Sequence, residues 1–143
     1  MQRTCPKPMK MIFFDAAGTL IHPAEAVGEV YSRIGSKYGF LASPWQLDAG
    51  FRQALKTQGP MVALHGENSE SGQQDWWYRL VAGVWGVDGK DPRFRSYFTE
   101  LYSYYEKSDA WSVYDDVRPV LHSLSEKGYR LGVISNFDSR LHK

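Results

Sequence analysis

Cysteine is almost absent from this sequence. Its 143 residues hold one, Cys5, which cannot close an internal disulfide and suits a reducing compartment. Long apolar runs are missing too. None approaches the ~20 residues needed to span a bilayer, and the apolar block behind the basic N-terminal residues, Met11 to Phe14, is too short for a secretory signal. No charge of one sign dominates. Lys and Arg number 17 against 16 Asp and Glu, a net charge of +1, which removes the electrostatic case for nucleic acid or an anionic membrane as partner. Internal repeats and low-complexity segments are also lacking. What remains is an ordinary composition, 43% hydrophobic and 23% charged. One domain's worth of chain can bury ~70% of its unfolded surface. A soluble cytoplasmic protein is expected.

The most informative stretch is Met11-Ile12-Phe13-Phe14-Asp15-Ala16-Ala17-Gly18-Thr19-Leu20. Four apolar residues without polar alternation read as a strand buried on both faces, as inside a parallel sheet. Asp15 sits where the run stops, and Gly18 allows a sharp departure of the backbone. In open α/β sheets ligands bind beyond the carboxyl ends of the strands, so a carboxylate at that edge suits a nucleophile or a metal ligand. The plainer alternative is a turn-forming Asp after a core strand.

The middle of the chain is helical in pattern. After a loose lead-in over Met1 to Pro8, the apolar residues Val27, Val30, Tyr31, Ile34 and Tyr38 keep helical spacing up to a stop at Gly39. Ser43-Pro44 opens a second helix running to about Thr57, before Gly59-Pro60. Residues 65 to 74 read as a polar loop and Asp75 as the cap of a third helix, with Trp76, Trp77, Leu80, Val81, Val84 and Trp85 on one face. A fourth begins near Asp91-Pro92 and carries Phe94, Tyr97, Phe98, Leu101, Tyr102 and Tyr105. These aromatic stripes fit helices packing on one another better than a ligand box. From Asp116 the pattern returns to α/β, with Val117, Val120, Leu121 and Leu124 facing a sheet and Gly128 closing the helix.

Tyr129-Arg130-Leu131-Gly132-Val133-Ile134-Ser135-Asn136 then forms a second short apolar strand ending in a hydroxyl and an amide. The two strand-end stretches, in this order and at this separation, resemble the first and second motifs of the haloacid-dehalogenase-like (HAD) hydrolase superfamily. The first motif of that family ends a strand in Asp-x-Asp-x-Thr, against Asp15-Ala16-Ala17-Gly18-Thr19 here. The second ends in Ser or Thr, often followed by Asn, as in Ser135-Asn136. The resemblance implies an α/β fold, the N-terminal part of a HAD-like Rossmannoid parallel sheet with an inserted helical cap. Residues 9–20 and 114–143 would form the core and 21–113 the cap.

The same resemblance implies a chemistry. Asp15 would attack phosphorus of a small phosphorylated metabolite, forming an aspartyl-phosphate. Mg²⁺ would bind an Asp15 oxygen and the backbone carbonyl of Ala17, offsetting the repulsion between two anions. Ser135, with Asn136 beside it, would bind the transferring phosphoryl group, although both could equally cap a helix. Thr19 would brace the loop.

Two departures matter. Family phosphatases carry a second Asp where this chain has Ala17, to protonate the leaving group and activate water. A methyl group does neither, and general acid–base assistance typically contributes ~10²–10⁴-fold. Dehalogenase and phosphonatase branches lack that Asp; the latter need a cap lysine, and Lys37 and Lys56 lie in the right region without being assigned. The second departure is that the family's phosphate-binding Lys and metal-binding carboxylates lie further on. Phe137 to His142 reads as the opening turn of a helix without a stop signal, so the chain is expected to be cut. A catalytically incompetent fragment or binding protein is therefore the alternative from outside the enzymes. A core of two strands is expected to be poorly ordered alone. His22, His65, His122 and His142 have no companions at metal-ligand spacing and are read as solvated.

Overall fold

The computed structural model describes residues 10–59, 61 and 69–142, without the side chain of residue 142; the lead-in, Pro60 and His65 lie outside them. In chain order the elements are β1 (Met11–Phe14), β2 (Ile21–Pro23), α1 (Val27–Lys37), α2 (Pro44–Gln58), α3 (Glu70–Trp85) and α4 (Pro92–Tyr104). A 3₁₀ turn at Ser108–Ala110, β3 (Trp111–Val113), α5 (Val117–Glu126), β4 (Arg130–Val133) and a 3₁₀ turn at Ser139–His142 follow. The fold class is α/β, and the chain divides into two compact units.

The first unit comprises residues up to His22 together with Ser112–Asn136. Its centre is a parallel pair, β1 beside β4, in the register Met11 with Arg130 through Phe14 with Val133. Hydrogen bonds from Arg130 N to Lys10 O and from Ile134 N to Phe14 O, both 2.9 Å, carry the pairing past each end. Parallel strands cannot be joined by a tight turn, and here everything between Asp15 and Tyr129 serves as the connection. Gly132 leaves room for the Phe13 ring, since a Cβ there would lie 2.8 Å from Phe13 Cε1. Gly128, at φ 81°, ends α5.

The strands are less covered than their apolar runs suggest. Met11, Phe13 and Val133 are about half exposed, and Ile134 is more exposed still. Each strand of a two-stranded pair has one neighbour, which cannot cover both faces and both edges. On α5, Val117 is buried, whereas Val120 faces outward, contrary to the amphipathic reading.

The second unit comprises Pro23–Trp111 and Phe137–Lys143. Residues 137–142 group with the helices in this division. Its core joins Val30, Tyr31 and Ile34 of α1, Leu47 of α2, Val81 and Ala82 of α3, and Phe94, Tyr97, Phe98, Leu101 and Tyr102 of α4. Phe40, on the α1–α2 connection, packs edge-on to Phe94 with ring centroids 5.5 Å apart. Trp85 Nε1 donates to Tyr97 Oη at 2.9 Å, so the buried hydroxyl and indole satisfy each other. Burying one such side chain stabilises the unit by roughly 1.5–3 kcal/mol.

Local chemistry explains the helix ends. Ser43 N donates to Gln46 Oε1 at 3.2 Å, a capping-box contact, with Pro44 at the first helical position. Asp91 caps α4 by accepting from Arg93 N at 2.8 Å. Gly28 allows α1 against α2, because a Cβ there would fall 2.0 Å from Pro44 O. The third helix starts at Glu70, capped by Ser69, rather than at Asp75. Its first turns are polar, which hid them from a reading based on apolar spacing. The two ends of the helical insertion are tied together, with Ala24 N donating to Ala110 O at 2.8 Å.

Candidate active site

The candidate site lies at the carboxyl end of the parallel pair. Asp15 follows Phe14 directly, and Ser135 and Asn136 follow one residue past Ile134, whose N–H still reaches Phe14 O. Because the strands run parallel and in register, both motifs leave the sheet at the same edge, where ligands bind in α/β folds. Asp15 and Asn136 are exposed and Ser135 is half-buried.

The loop after Asp15 is built by its own backbone. Asp15 Oδ1 accepts from Ala16 N at 2.7 Å. The buried Ala16 carbonyl accepts from Thr19 N (3.2 Å), Leu20 N (2.8 Å) and Ile21 N (3.1 Å), while Gly18 N donates to Ile21 O at 2.8 Å. Gly18 makes this turn at φ 82°, a conformation that favours glycine. None of these bonds uses the Ala17 carbonyl. Ala17 itself is exposed, and its methyl group brings no acid or base to the loop. Thr19 enters through its backbone N–H.

A Mg²⁺ ion takes hard oxygen donors and keeps several waters. An exposed Asp15 carboxylate and the Ala17 carbonyl are donors of that kind and fit such an ion held largely by water and substrate oxygens. Among the described residues no three His, Cys, Asp or Glu side chains come together as a metal cage.

The other candidate side chains fall elsewhere. His22 lies against the Tyr114 ring, with centroids 4.5 Å apart. His122 Nε2 lies 3.3 Å from Glu126 Oε1 on the exposed side of α5. Lys37 pairs with Glu100 at 2.5 Å, and Tyr38 Oη donates to the other Glu100 oxygen at 2.8 Å. Its hydrogen bonds from Lys37, then Tyr38, hold the Glu100 carboxyl below its usual value of 4.5. Lys56 is exposed.

The sequence reading missed Asp138 and Arg140. They form a buried ion pair in the second unit. The only signal was two charges flanking Ser139, just after Ser135-Asn136, and charged residues are ordinarily read as surface. Burial pulls the Asp138 carboxyl upward, but the Arg140 hydrogen bond and charge outweigh it, helped by the Arg140 backbone N–H and Trp77. The net effect holds it below 3.8.

Comparison with known proteins agrees with the strand-end motifs. A family model for haloacid dehalogenase-like hydrolases matches residues 9–141. The haloacid dehalogenase-like hydrolase domain-containing protein 3 of Danio rerio is 32% identical over 136 residues, covering 94% of this chain and 56% of that protein. Its Homo sapiens counterpart is 29% identical, with 93% and 54% covered. The chain thus spans about half the length of these relatives. Among solved structures, a predicted phosphoglycolate phosphatase from Haemophilus somnus 129PT shares the fold. Its TM-score is 0.55 at 17% identity, over 92% of this chain and 53% of that one. No described helix is long and apolar enough to cross a membrane. With nearly its whole length matched and both strand-end motifs on one sheet edge, the chain belongs to the haloacid dehalogenase-like hydrolases.

Proposed function

We propose that the protein is a cytoplasmic phosphohydrolase acting on a small phosphorylated metabolite, with Asp15 as nucleophile. One observation carries this reading: Asp15 and Ser135 leave the same edge of adjacent parallel strands in register. An Asp15 oxygen attacks phosphorus, the bond to the leaving oxygen breaks, and its electron pair departs with that oxygen. Water then hydrolyses the aspartyl-phosphate. Ser135 donates a hydrogen bond to the phosphoryl group in transfer, and Asn136 helps to bind it. Asp15 and the Ala17 carbonyl would hold a Mg²⁺ ion, which would offset the repulsion between the carboxylate and the phosphate. The helical residues 21–113 correspond to the insertion that resembles the family's cap and would set the substrate.

Ala17 favours a second reading. Without an acid near the leaving group, the site suits substrates whose leaving group needs no protonation, or carbon–halogen or carbon–phosphorus cleavage of the dehalogenase or phosphonatase type. A binding protein without turnover is the remaining outcome. The test is Asp15→Asn in a form extended to the length of the relatives, assayed on an aryl phosphate. Turnover is expected to vanish, because an amide is no useful nucleophile; near-wild-type turnover rules out the covalent route.

A further inference from the structure

The helical unit contains one local turn twice, in opposite surroundings. At Asp91-Pro92-Arg93 and again at Asp138-Ser139-Arg140, the carboxylate accepts from the backbone N–H, the Nε and the Nη2 of the arginine two residues on. The hydrogen bonds match, but the burial does not. The Arg93 and Asp91 side chains are 68% and 36% exposed, those of Arg140 and Asp138 only 4% and 0%.

Aromatic walls make the difference. Arg140 Cζ lies 4.2 Å from the Tyr102 ring centroid, 5.0 Å from that of Trp77 and 6.0 Å from that of Phe137. All three fall within cation–π range. Trp77 also donates its Nε1–H to Asp138 Oδ2 at 2.5 Å, and Ser139 N donates to Gln73 Oε1 at 3.0 Å. Arg93 has one ring beside it, Phe40, at 5.9 Å. Trp77 and Gln73 stand on α3 and Tyr102 on α4, so the enclosure comes from parts of the chain remote from the turn itself.

Stability alone is a weak reason for this enclosure, because taking two charges out of water is expensive and apolar residues of similar volume often serve as well. A buried carboxylate among aromatic faces answers instead to one chemical class. A planar guanidinium forks the carboxylate with parallel N–H groups and stacks on the rings at the same time. An ammonium, a strongly hydrated point charge, does only part of this. We propose that the helical unit carries a binding site for a guanidinium cation, built by Trp77, Tyr102, Phe137 and Asp138, with Arg140 as its tethered occupant. All five residues belong to that unit, and the inference does not depend on the hydrolase reading.

Chemical rescue tests the site. Arg140→Ala in the full chain removes the occupant and leaves the Asp138 carboxylate buried without its cation. The Trp77 indole N–H and the Ser139 amide are then expected to exchange about 10-fold faster or more. Millimolar guanidinium chloride, far below the molar range in which it denatures, is expected to reverse most of that rise. Equimolar ammonium or sodium chloride is not. The wild-type chain, whose site is filled, and Arg93→Ala, whose turn has no enclosure, should show no such response. Adding Asp138→Asn to Arg140→Ala should abolish it by removing the anion. Equal rescue by all three salts means that charge screening suffices and overturns the site, as does rescue by none. Should Arg140→Ala not fold in sodium chloride, recovery of the helix signal in guanidinium alone is the expected result, and its absence overturns the proposal.

Discussion

The two units differ in what they bury. The eight largest side chains that are fully enclosed, from Tyr97 and Phe94 to Val30 and Val81, all belong to the helical unit. In the sheet unit, Met11, Phe13 and Val133 remain about half exposed and Ile134 more so, and the proposed site residues at its edge are small or polar. The tightest packing and the proposed site therefore reside in separate parts of the chain. The helical unit resembles a self-sufficient core, whereas the sheet unit carries the proposed site residues on strands with few neighbours.

The sharpest way to work on that division is to change the chemistry without touching the core. Ala17→Asp places a carboxylate in an exposed loop and restores an acid and base at the leaving group. In the extended form, phosphatase turnover is expected to rise, by up to ~10² or more for alkyl phosphates and less for aryl phosphates. An unchanged or lower rate with both shows that Ala17 serves another chemistry, or that another residue already fills the role.

The converse experiment damages the core and spares the chemistry. Phe94→Ala removes a fully buried ring that touches Phe40, Tyr78 and Tyr97. A loss of roughly 3–5 kcal/mol is expected, seen as faster exchange throughout α1 and α4. Exchange at the β1–β4 hydrogen bonds should change far less. Equal losses in both units break the division.

A milder perturbation uses pH. Burial raises the hydroxyls of Tyr31, Tyr97 and Tyr105 above their ordinary value of 10.0, reinforced by neighbouring tyrosines and, at Tyr97, partly offset by the Trp85 hydrogen bond. A raised folded value means their contribution is complete below pH 10 and is lost as pH rises through the folded values. The helical unit should therefore loosen in alkali, with tyrosinate absorbance appearing in step with the loss of helix signal. At the acid end the depressed Asp138 carboxyl works the other way. Its contribution is present above 3.8 and disappears as pH falls through its lower folded value. Tyrosinate forming well before any helix is lost speaks against burial of these hydroxyls.

Much of this architecture was legible, and for identifiable reasons. Ser43-Pro44 and Asp91-Pro92 mark helix starts because a capping side chain and a proline without an N–H both fit a first turn. Asp15 stood out because an apolar strand ended on a carboxylate. The start of α3 was hidden by the run Glu70 to Gln74, which carries no apolar period. β2 and β3, three residues each, are too short for an alternation to register. Asp138 and Arg140 were missed for a different reason. Composition places charges at the surface, and a carboxylate–guanidinium pair becomes a core element only through partners such as Trp77 and Tyr102, which are remote in sequence.

The hydrogen bond from Ala24 N to Ala110 O has a consequence for how the chain folds and how it could have been assembled. It brings the two ends of the helical stretch as close as the ends of a tight turn. To the strands, a long insertion then behaves as a short one. Most of the loop-closure entropy for joining β1 to β4 is met when the helices fold by their own local contacts. A cassette with adjoining ends can also be lengthened, exchanged or deleted without moving the strands that flank it. Recognition could thus diversify in the helices while the strand-end carboxylate and hydroxyl stayed in register.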